Sequence, residues 1–379
     1  MFEGTVWLLR LVELSALAYL LLIAAYTWGW RKLSASLPAK LHTGSKVSVI
    51  VALRNESRNV ESLVSSLLNQ QTNNIVFDLL FVDDHSTDDT LPLLQSWAEI
   101  HPERIEVLKA SGEGKKAALR QAIEASDAEI ILTTDADCRP QPFWLALMVA
   151  PFGEPSAQMV LGPVRLEHRK KLLEKLQSLE FCSLMGATGG AVALHKPSMA
   201  NGANLAFRRN SYLQAYEKQA GQNLASGDDL FMMNSFETMF GAESIGFCNA
   251  KSAIVSTQAL STFKDFVSQR IRWVSKSSAY RNLSTLIPAW VVFIFNFFLI
   301  AMMMAAIILP WMIPVFMLFF TLKALADFPL VRAVAVFNGQ KNLLWLFVSL
   351  SLIYPFYVVF IPLIALITKT EWKGRSLKS

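Results

Sequence analysis

The sequence separates into long uncharged apolar runs at its two ends and an ordinarily polar middle. No charged residue occurs in residues 14–30, 282–322 and 342–368. Because a membrane-spanning helix needs about 20 apolar residues, the pattern predicts a membrane anchor over residues 1–32 and a C-terminal membrane region over residues 282–368. The second run is long enough for two crossings, so about three apolar segments are expected in the C-terminal region.

The N-terminal run reaches spanning length only if it includes Arg10 and Glu13, which lie three residues apart and can pair on one helix face. It has no basic residue before Arg10 and no small-residue cleavage site near its end. This predicts an uncleaved anchor rather than a signal peptide. Pro310 and Pro314 fall where a tight hairpin between the first two C-terminal crossings would need them.

Basic residues indicate which side of the membrane the middle of the chain occupies. Arg31, Lys32, Lys40 and Lys46 follow the anchor, and the positive-inside tendency then places the middle in the cytoplasm. The basic tail, residues 369–379, also favours the cytoplasm, whereas three C-terminal crossings would leave it outside. One apolar segment is therefore expected to be re-entrant or interfacial.

In the middle of the chain, short apolar runs alternate with helical spacing. The segments that predict buried strands are KVSVIVALRN, FDLLFVDDHS and AEIILTTDADC, and those that predict helices between them are SRNVESLVSSLLNQQ and GEGKKAALRQAIEASD. This alternation predicts an α/β fold with a parallel sheet over residues 46–258. Ligands bind beyond the carboxyl ends of such strands, where the sequence places Asn55, Glu56, Asp83, Asp84, Asp135 and Asp137.

The later part of this domain is less regular. RLEHRKKLLEKLQSLEF predicts a charged amphipathic helix, TGGAVALHKPSMANGANLAFRRN predicts a glycine-rich loop, and SGDDLFMMNSFETMF predicts another helix. Residues 259–281 predict an interfacial amphipathic helix, whose apolar face comprises Phe263, Phe266, Val267, Ile271 and Val274.

Composition narrows the class of protein. Hydrophobic residues make up 53% of the chain, which excludes an ordinary soluble globule. The three cysteines lie far apart without a CxxC spacing, so we expect neither disulfides nor a zinc site, as in a reducing cytoplasm. The net charge of +5 is modest and clusters beside apolar runs, so membrane lipids, and no nucleic acid, are the expected anionic partner.

The acidic pairs have two interpretations. Residues i and i+2 of an extended segment point the same way, so Asp135 and Asp137 would face one spot. Carboxylates suit a divalent cation such as Mg²⁺ or Mn²⁺, but an acidic turn fits the same letters. Asp83 and Asp84 are likewise either ligands or turn residues.

Three further segments carry candidate chemistry. Asp229 could accept a proton from an attacking alcohol, while Asp228 could simply cap a helix. Lys115 opens a helix after two glycines, where the helix dipole and its charge favour phosphate, although an exposed lysine is the commoner outcome. The letters QRIRW lie at residues 269–273, in the amphipathic helix.

The order of these motifs resembles that of a family 2 glycosyltransferase with a GT-A fold, over about residues 46–280. The motifs are VSVIVALRNE, VDDHSTDDT, GKKAAL, DAD, GANLAFRR, GDD and QRIRW. The chain looks similar to membrane-embedded members such as ceramide glucosyltransferase, poly-N-acetylglucosamine synthase and hyaluronan synthase. Their glutamine-x-x-arginine-tryptophan motif is matched by Gln269, Arg272 and Trp273.

The resemblance implies a role for each matched residue. Asp229, with Asp228 before it, would be the catalytic acid pair, and Asp135 and Asp137 would hold the donor diphosphate through the cation. The residues implied in nucleotide-sugar binding are Arg54, Glu56, Asp83, Asp84, Lys115, Asp135, Gln269, Arg272 and Trp273.

The implied activity is inverting transfer of a hexose from a nucleotide diphosphate sugar, a UDP-sugar for preference, to a lipid or saccharide hydroxyl. The expected location is the cytoplasmic face of a bacterial inner membrane. Two alternatives stay open: transfer to a polyprenyl phosphate, and an inactive membrane scaffold that keeps the nucleotide fold. Because all the motif acids and the residues of QRIRW are intact, the scaffold is the weaker alternative.

Overall fold

A computed structural model of the chain describes residues 2–33, 46–72, 75–217, 228–276, 280–368, 371–372 and 375–376. The basic residues Lys40, Lys369, Lys373 and Lys378 lie outside the described residues. The chain divides into two compact units, which we call the sheet unit and the helical unit. The sheet unit comprises Leu33–Glu167 and His195–Gln258, and the helical unit comprises Met1–Lys32, His168–Leu194 and Ala259–Ser379.

The described elements are numbered in chain order. The strands are β1 (Val47–Leu53), β2 (Phe77–Asp83), β3 (Ile105–Lys109), β4 (Ile130–Thr133), β5 (Arg139–Pro140), β6 (Met159–Leu161), β7 (Val164–Glu167), β8 (Leu205–Arg208), β9 (Ile245–Phe247), β10 (Val255–Gln258), β11 (Glu371–Trp372) and β12 (Arg375–Ser376). The helices are α1 (Phe2–Lys32), α2 (Ser57–Leu68), α3 (Thr90–Ile100), α4 (Lys115–Ala125), α5 (Trp144–Val149), α6 (Leu172–Ala193), α7 (Arg209–Glu217), α8 (Asp228–Phe240), α9 (Phe263–Val274), α10 (Leu283–Ile308), α11 (Ile313–Phe337) and α12 (Phe347–Ile367).

The sheet unit is built on a seven-stranded sheet with the order β3-β2-β1-β4-β8-β6-β9. The four strands from β3 to β4 are parallel; the sequence predicts three of them, β1, β2 and β4, and not β3. Strand β8 runs antiparallel to both β4 and β6, so the sheet is mixed beyond that point. Strands β1, β2 and β4 are buried almost throughout, which explains why they read as continuous apolar runs.

A second, three-stranded sheet has β10 at its centre, antiparallel to β5 and parallel to β7. Ser256 of β10 pairs with Arg139 of β5. This pairing holds the segment that follows β4 against β10, a strand that comes more than 100 residues later in the chain. It also brings Thr257 beside Asp137. The small sheet therefore positions the second carboxylate of the acidic pair.

The helical unit contains four described helices that are long and apolar enough to span a membrane: Leu9–Lys32, Leu283–Ile308, Pro310–Phe337 and Lys341–Ile367. A 3-10 turn at Pro310–Met312 joins α10 to α11 at the predicted hairpin. Helix α11 continues past the uncharged run, so it includes Lys323, which is buried, and Asp327, which is partly buried, and the two form an ion pair 2.5 Å long.

Helix α6 differs from the sequence interpretation. The loop predicted from Thr188 onwards begins only after Ala193, because Thr188-Gly189-Gly190 belongs to the last turns of α6. Residues 168–194, which we expected in the sheet domain, belong to the helical unit. The glycines permit this because Gly186 packs against Leu330 of α11 and Gly190 against the backbone of Tyr26 in α1, and small residues let helices approach closely.

Gly190 gives a stability prediction for the helical unit. A Cβ on Gly190 would lie 2.3 Å from the carbonyl oxygen of Tyr26, and backbone cannot move aside as a side chain can. We expect Gly190→Ala to lower the free energy of unfolding by about 1–3 kcal/mol, as overpacking does. Thermal unfolding in detergent measures this. Gly246→Ala is the control, since its nearest neighbours are 3.9 Å away; equal midpoints for the two variants would contradict the prediction.

Candidate active site

The carboxylates of Asp83 and Asp84 lie at the carboxyl end of β2, where both are almost fully buried. Asp83 Oδ2 accepts a hydrogen bond from the backbone N–H of Ser86, 3.1 Å away. Asp84 Oδ1 accepts one from the backbone N–H of Gly114, at 3.0 Å. Arg54 Nη1 lies 4.0 Å from Asp84 Oδ2. The two acids therefore join the loops that follow β1, β2 and β3.

The turn after β1 is held by the next loop along the sheet. Asn55 has a left-handed backbone with φ of 52°, and its N–H donates to Ser86 Oγ at 3.0 Å. The N–H of Glu56 donates to Thr90 Oγ1 at 2.8 Å. These bonds fix the turn and leave the Glu56 side chain to accept a bond from Asn59 Nδ2, at 2.7 Å.

Asp88, in the same acidic loop as Asp83 and Asp84, uses its carboxylate to bind backbone N–H groups at the starts of two helices. Its two oxygens accept bonds from the backbone N–H of Thr90 and of Ser57, both at 3.1 Å. The hydrogen bonds from Thr90 and Ser57 outweigh burial and lower its pKa to about 2. Asp88 is therefore occupied in capping, whereas Asp83 Oδ1 is buried with no hydrogen-bond partner among the described residues.

Asp135 and Asp137 lie directly after β4 with their carboxylates close together. Asp137 Oδ2 accepts a hydrogen bond from Thr257 Oγ1 at 2.9 Å. Although the Asp137 side chain reaches solvent, desolvation by the atoms packed around it raises the pKa of its carboxyl, and the negative charge of Asp135 raises that pKa further. Two crowded carboxylates repel each other, so a cation between them would be favoured.

Cys138 is the third potential ligand in this cluster. Its side chain is fully buried, and burial, with the charges of Asp135 and Asp137, raises the pKa of the thiol well above its usual value. Because a thiol binds metal as its thiolate, Cys138 is a poor ligand here. The remaining donors are two hard carboxylates, which fit Mg²⁺ or Mn²⁺.

Lys115, which pairs with Asp135, and Asp229 both lie beside the glycine at position 202. Lys115 Nζ forms an ion pair with Asp135 Oδ1, and the N–H of Gly202 donates to Asp229 Oδ2 at 2.9 Å. A Cβ on Gly202 would lie 3.7 Å from Lys115 Nζ and 3.8 Å from Asp229 Oδ2. The structure therefore brings together the acidic pair, the lysine and the candidate base that the sequence singled out separately.

Asp229 sits in the first turn of α8, the helix predicted there. Its Oδ1 accepts a bond from the N–H of Leu230 at 2.9 Å, so each carboxylate oxygen has one backbone donor and a further lone pair to use. Asp228 is the first residue of α8, but its side chain lies outside the described part of the structure.

Two polar groups near the acids were missed by the sequence analysis. Arg139 Nη2 donates to Asn59 Oδ1 at 3.1 Å, which links β5 to Glu56 through the Asn59 amide. Asn204 is buried and bonds Trp144 Nε1 and the carbonyls of Pro163 and Ala253. The letters GANLAFRR contain Asn204, but nothing local indicates its three distant partners.

The residues Gln269, Arg272 and Trp273 lie on α9, in the helical unit. Gln269 and Arg272 are half-buried and Trp273 is 36% exposed. The buried side of α9 is only partly apolar, because the two buried residues of this helix are Ile271 and the charged Arg270. The roles of the three motif residues toward a donor stay predictions.

Comparison with known proteins gives consistent results. The family described as "Glycosyl transferase family 2" matches residues 48–214. The chain is 25% identical over 252 residues to the probable glycosyltransferase YdaM of Bacillus subtilis, which covers 64% of this chain and 56% of that protein. It is 26% identical over 144 residues to the poly-beta-1,6-N-acetyl-D-glucosamine synthase of Staphylococcus epidermidis, over 37% of this chain and 34% of that one. The chain thus spans about half of the first relative's length and a third of the second's.

Among solved structures, the chain is similar to a mannosyltransferase from Pyrobaculum calidifontis solved with GDP-Man and Mn²⁺. The TM-score is 0.57 at 19% identity, over 90% of this chain and 98% of that one. At this identity the likeness concerns the fold. The segment 48–214 thus matches glycosyltransferase family 2, and the sheet unit has a GT-A-like α/β core with a mixed sheet.

Proposed function

We propose that the protein is an inverting glycosyltransferase that moves a hexose from a UDP-sugar to a hydroxyl of a lipid or saccharide. The observation that carries the proposal is the arrangement around Gly202. Asp229 accepts a hydrogen bond from the N–H of this glycine, and Lys115, which pairs with Asp135, lies near the same point, because one Cβ built on Gly202 would be 3.8 Å from Asp229 Oδ2 and 3.7 Å from Lys115 Nζ. A proton acceptor and a cationic group for diphosphate are the two parts that such a transfer needs.

Each group has a defined task in the proposed reaction. Asp229 accepts the proton of the acceptor hydroxyl while the hydroxyl oxygen forms a bond to the anomeric carbon. The bond from that carbon to the diphosphate oxygen breaks, and the nucleotide diphosphate leaves with the electron pair. Lys115 stabilises the negative charge that develops on the departing diphosphate. Because the base and the leaving group act on opposite faces of the sugar, one displacement inverts the anomeric centre.

Asp135 and Asp137 are the residues that would hold a divalent cation. Such an ion supplies Lewis-acid stabilisation of the leaving diphosphate when bound. The fit rests on two close carboxylates, the raised pKa of Asp137 and the exclusion of the buried Cys138 thiol. The Pyrobaculum mannosyltransferase, which was solved with Mn²⁺, lends support by fold alone.

The nucleotide would lie over the loops that follow β1 and β2, near Arg54, Glu56, Asp83 and Asp84. The buried and unpartnered Asp83 Oδ1 offers an acceptor there, within the described part of the chain. For Gln269, Arg272 and Trp273 we propose a requirement in transfer, on the strength of the motif alone.

The acceptor is proposed to be held at a membrane. Four described helices are long and apolar enough to span one, and a synthase that makes a polysaccharide is among the relatives. Basic residues after α1 favour a cytoplasmic sheet unit, so we propose the cytoplasmic face of a bacterial inner membrane as the place of transfer.

The test is direct assay of the purified full-length chain in detergent. A panel of UDP-sugars and GDP-sugars is supplied with Mg²⁺ or Mn²⁺, together with extracted lipids and oligosaccharides, and products are identified by mass spectrometry. We expect one UDP-sugar to give a glycosylated product with inverted anomeric configuration, and chelation by EDTA to stop it. Retained configuration, use of GDP-sugars alone, or no transfer from any donor would contradict the proposal.

A further inference from the structure

Arg270 occupies an unusual place in α9. It lies inside the QRIRW segment, between Gln269 and Arg272, yet it is only 1% exposed. A basic residue on an amphipathic helix normally reaches water, because burial of a charge is costly unless the charge is paired. The burial of Arg270 therefore has to be compensated by specific partners.

The ionic partner is Glu180 of α6, which is also buried. Arg270 Nη2 donates to Glu180 Oε2 at 2.5 Å. The other oxygen, Glu180 Oε1, accepts a bond from the hydroxyl of Tyr357 on α12, at 3.2 Å. Three helices of the helical unit are thus joined through the one carboxylate of Glu180, and the guanidinium is fixed from the side of α6.

The remaining contacts of the guanidinium are with aromatic rings. Its central carbon lies 4.2 Å from the ring centroid of Trp273, 5.1 Å from that of Phe266 and 5.7 Å from that of Tyr357. Nε and Nη1 of Arg270 have no hydrogen-bond partner among the described residues. The nearest of the three rings belongs to Trp273, so the guanidinium and the motif tryptophan hold each other in place by stacking.

We propose that Arg270 is a positioning residue, which with Glu180 orients the Trp273 ring for sugar transfer. The proposal rests on the proposed function, because it assumes that Trp273 is required in the reaction. Arg270 acts through Trp273 and has no contact with substrate in this account. Its planar guanidinium, rather than its charge alone, is the feature needed, since an ammonium group does not stack on a ring in the same way.

A partly buried ion pair in α11, between Lys323 and Asp327, offers a control. Lys323 and Asp327 of α11 bond each other, and Asp327 also accepts the hydroxyl of Tyr19 at 2.7 Å. The described rings that face Lys323 are those of Tyr19 and Tyr354. Among the described residues no contact joins this pair to residues 269–273, although the Tyr354 ring beside Lys323 lies 5.6 Å from that of Tyr357. Asp327→Asn makes the same carboxylate-to-amide change as Glu180→Gln.

The first measurement reads the orientation of Trp273 without any assay of activity. The full chain has 10 tryptophans, and 5-fluorotryptophan labelling gives each of them a ¹⁹F resonance in detergent. The resonance that disappears in Trp273→Phe is the one that belongs to Trp273. We expect Arg270→Lys and Glu180→Gln to shift or broaden the Trp273 resonance, and Asp327→Asn to leave it unchanged. A Trp273 resonance that stays in place in both variants would overturn the proposal.

The second measurement is steady-state kinetics beside thermal unfolding. We expect Arg270→Lys and Glu180→Gln to lower kcat by about 10- to 100-fold, as misplacement of a reacting group does, with the donor KM within about threefold. Asp327→Asn should lower the unfolding midpoint as much while kcat stays within about twofold of wild type. Equal loss of kcat in all three would mean a structural role only. If the wild-type chain transfers no sugar, the proposed function fails, and the ¹⁹F shift still decides whether Arg270 positions Trp273.

Discussion

Asp229→Asn is expected to abolish sugar transfer while leaving nucleotide binding intact. The amide keeps the size of the carboxylate and can still accept one of the two backbone bonds, from Gly202 or from Leu230, through its single oxygen. It cannot accept the proton of an attacking hydroxyl at neutral pH. Loss of a general base costs about 10²- to 10⁴-fold in rate, which is about 3–5 kcal/mol of activation free energy.

The measurement is kcat with the donor identified in the panel, beside the affinity for UDP from calorimetry. Glu237→Gln is the control, because it makes the same change two turns further along α8 and should leave kcat within about twofold. Wild-type turnover in Asp229→Asn would remove the assignment of the base. It would also favour transfer to a polyprenyl phosphate, because an acceptor that is already anionic has no proton to lose.

The central strands and the position of the site were predictable from local sequence. β1, β2 and β4 are short apolar runs, and the acids that follow them meet because parallel strands end at one edge of a sheet. β3 was not predicted. It pairs only with β2 and carries Glu106 and Lys109 on positions that are exposed, so its letters lack the continuous apolar run of a central strand.

The errors in the helical unit have a common physical cause. Glycine lowers the local preference for helix, so Gly189 and Gly190 predict a loop; their helix is stabilised by close packing on α1, which only the tertiary structure reveals. Arg270 predicts a solvent-facing position in the same way. Its partner Glu180 is 90 residues away, and no spacing within α9 indicates that a carboxylate lies there.

In the candidate site, the positions of two residues could be predicted from the sequence, whereas their surroundings could not. Asp135 and Asp137 could be placed on one face from their spacing alone. Their environment could not, because Lys115, Gly202 and Thr257 come from three other segments of the sheet unit. The sequence motif thus predicts that these two carboxylates could bind a cation, whereas the distribution of charge around the carboxylates depends on the fold.

That distribution of charge makes Asp137→Ala the sharpest test of the cation. With both carboxylates ionised, Asp135 and Asp137 exceed the one positive charge of Lys115, which pairs with Asp135. Removal of Asp137 leaves Asp135 and Lys115 to neutralise each other, so a divalent cation loses its electrostatic attraction. We expect metal-dependent UDP affinity to fall at least about tenfold, or about 1.4 kcal/mol. Calorimetry with and without Mn²⁺ measures it, with Asp127→Ala as the control because that exposed acid pairs with Lys46. If Asp137→Ala still bound UDP more tightly with Mn²⁺ than without it, by the wild-type ratio, the cation would have to be held elsewhere.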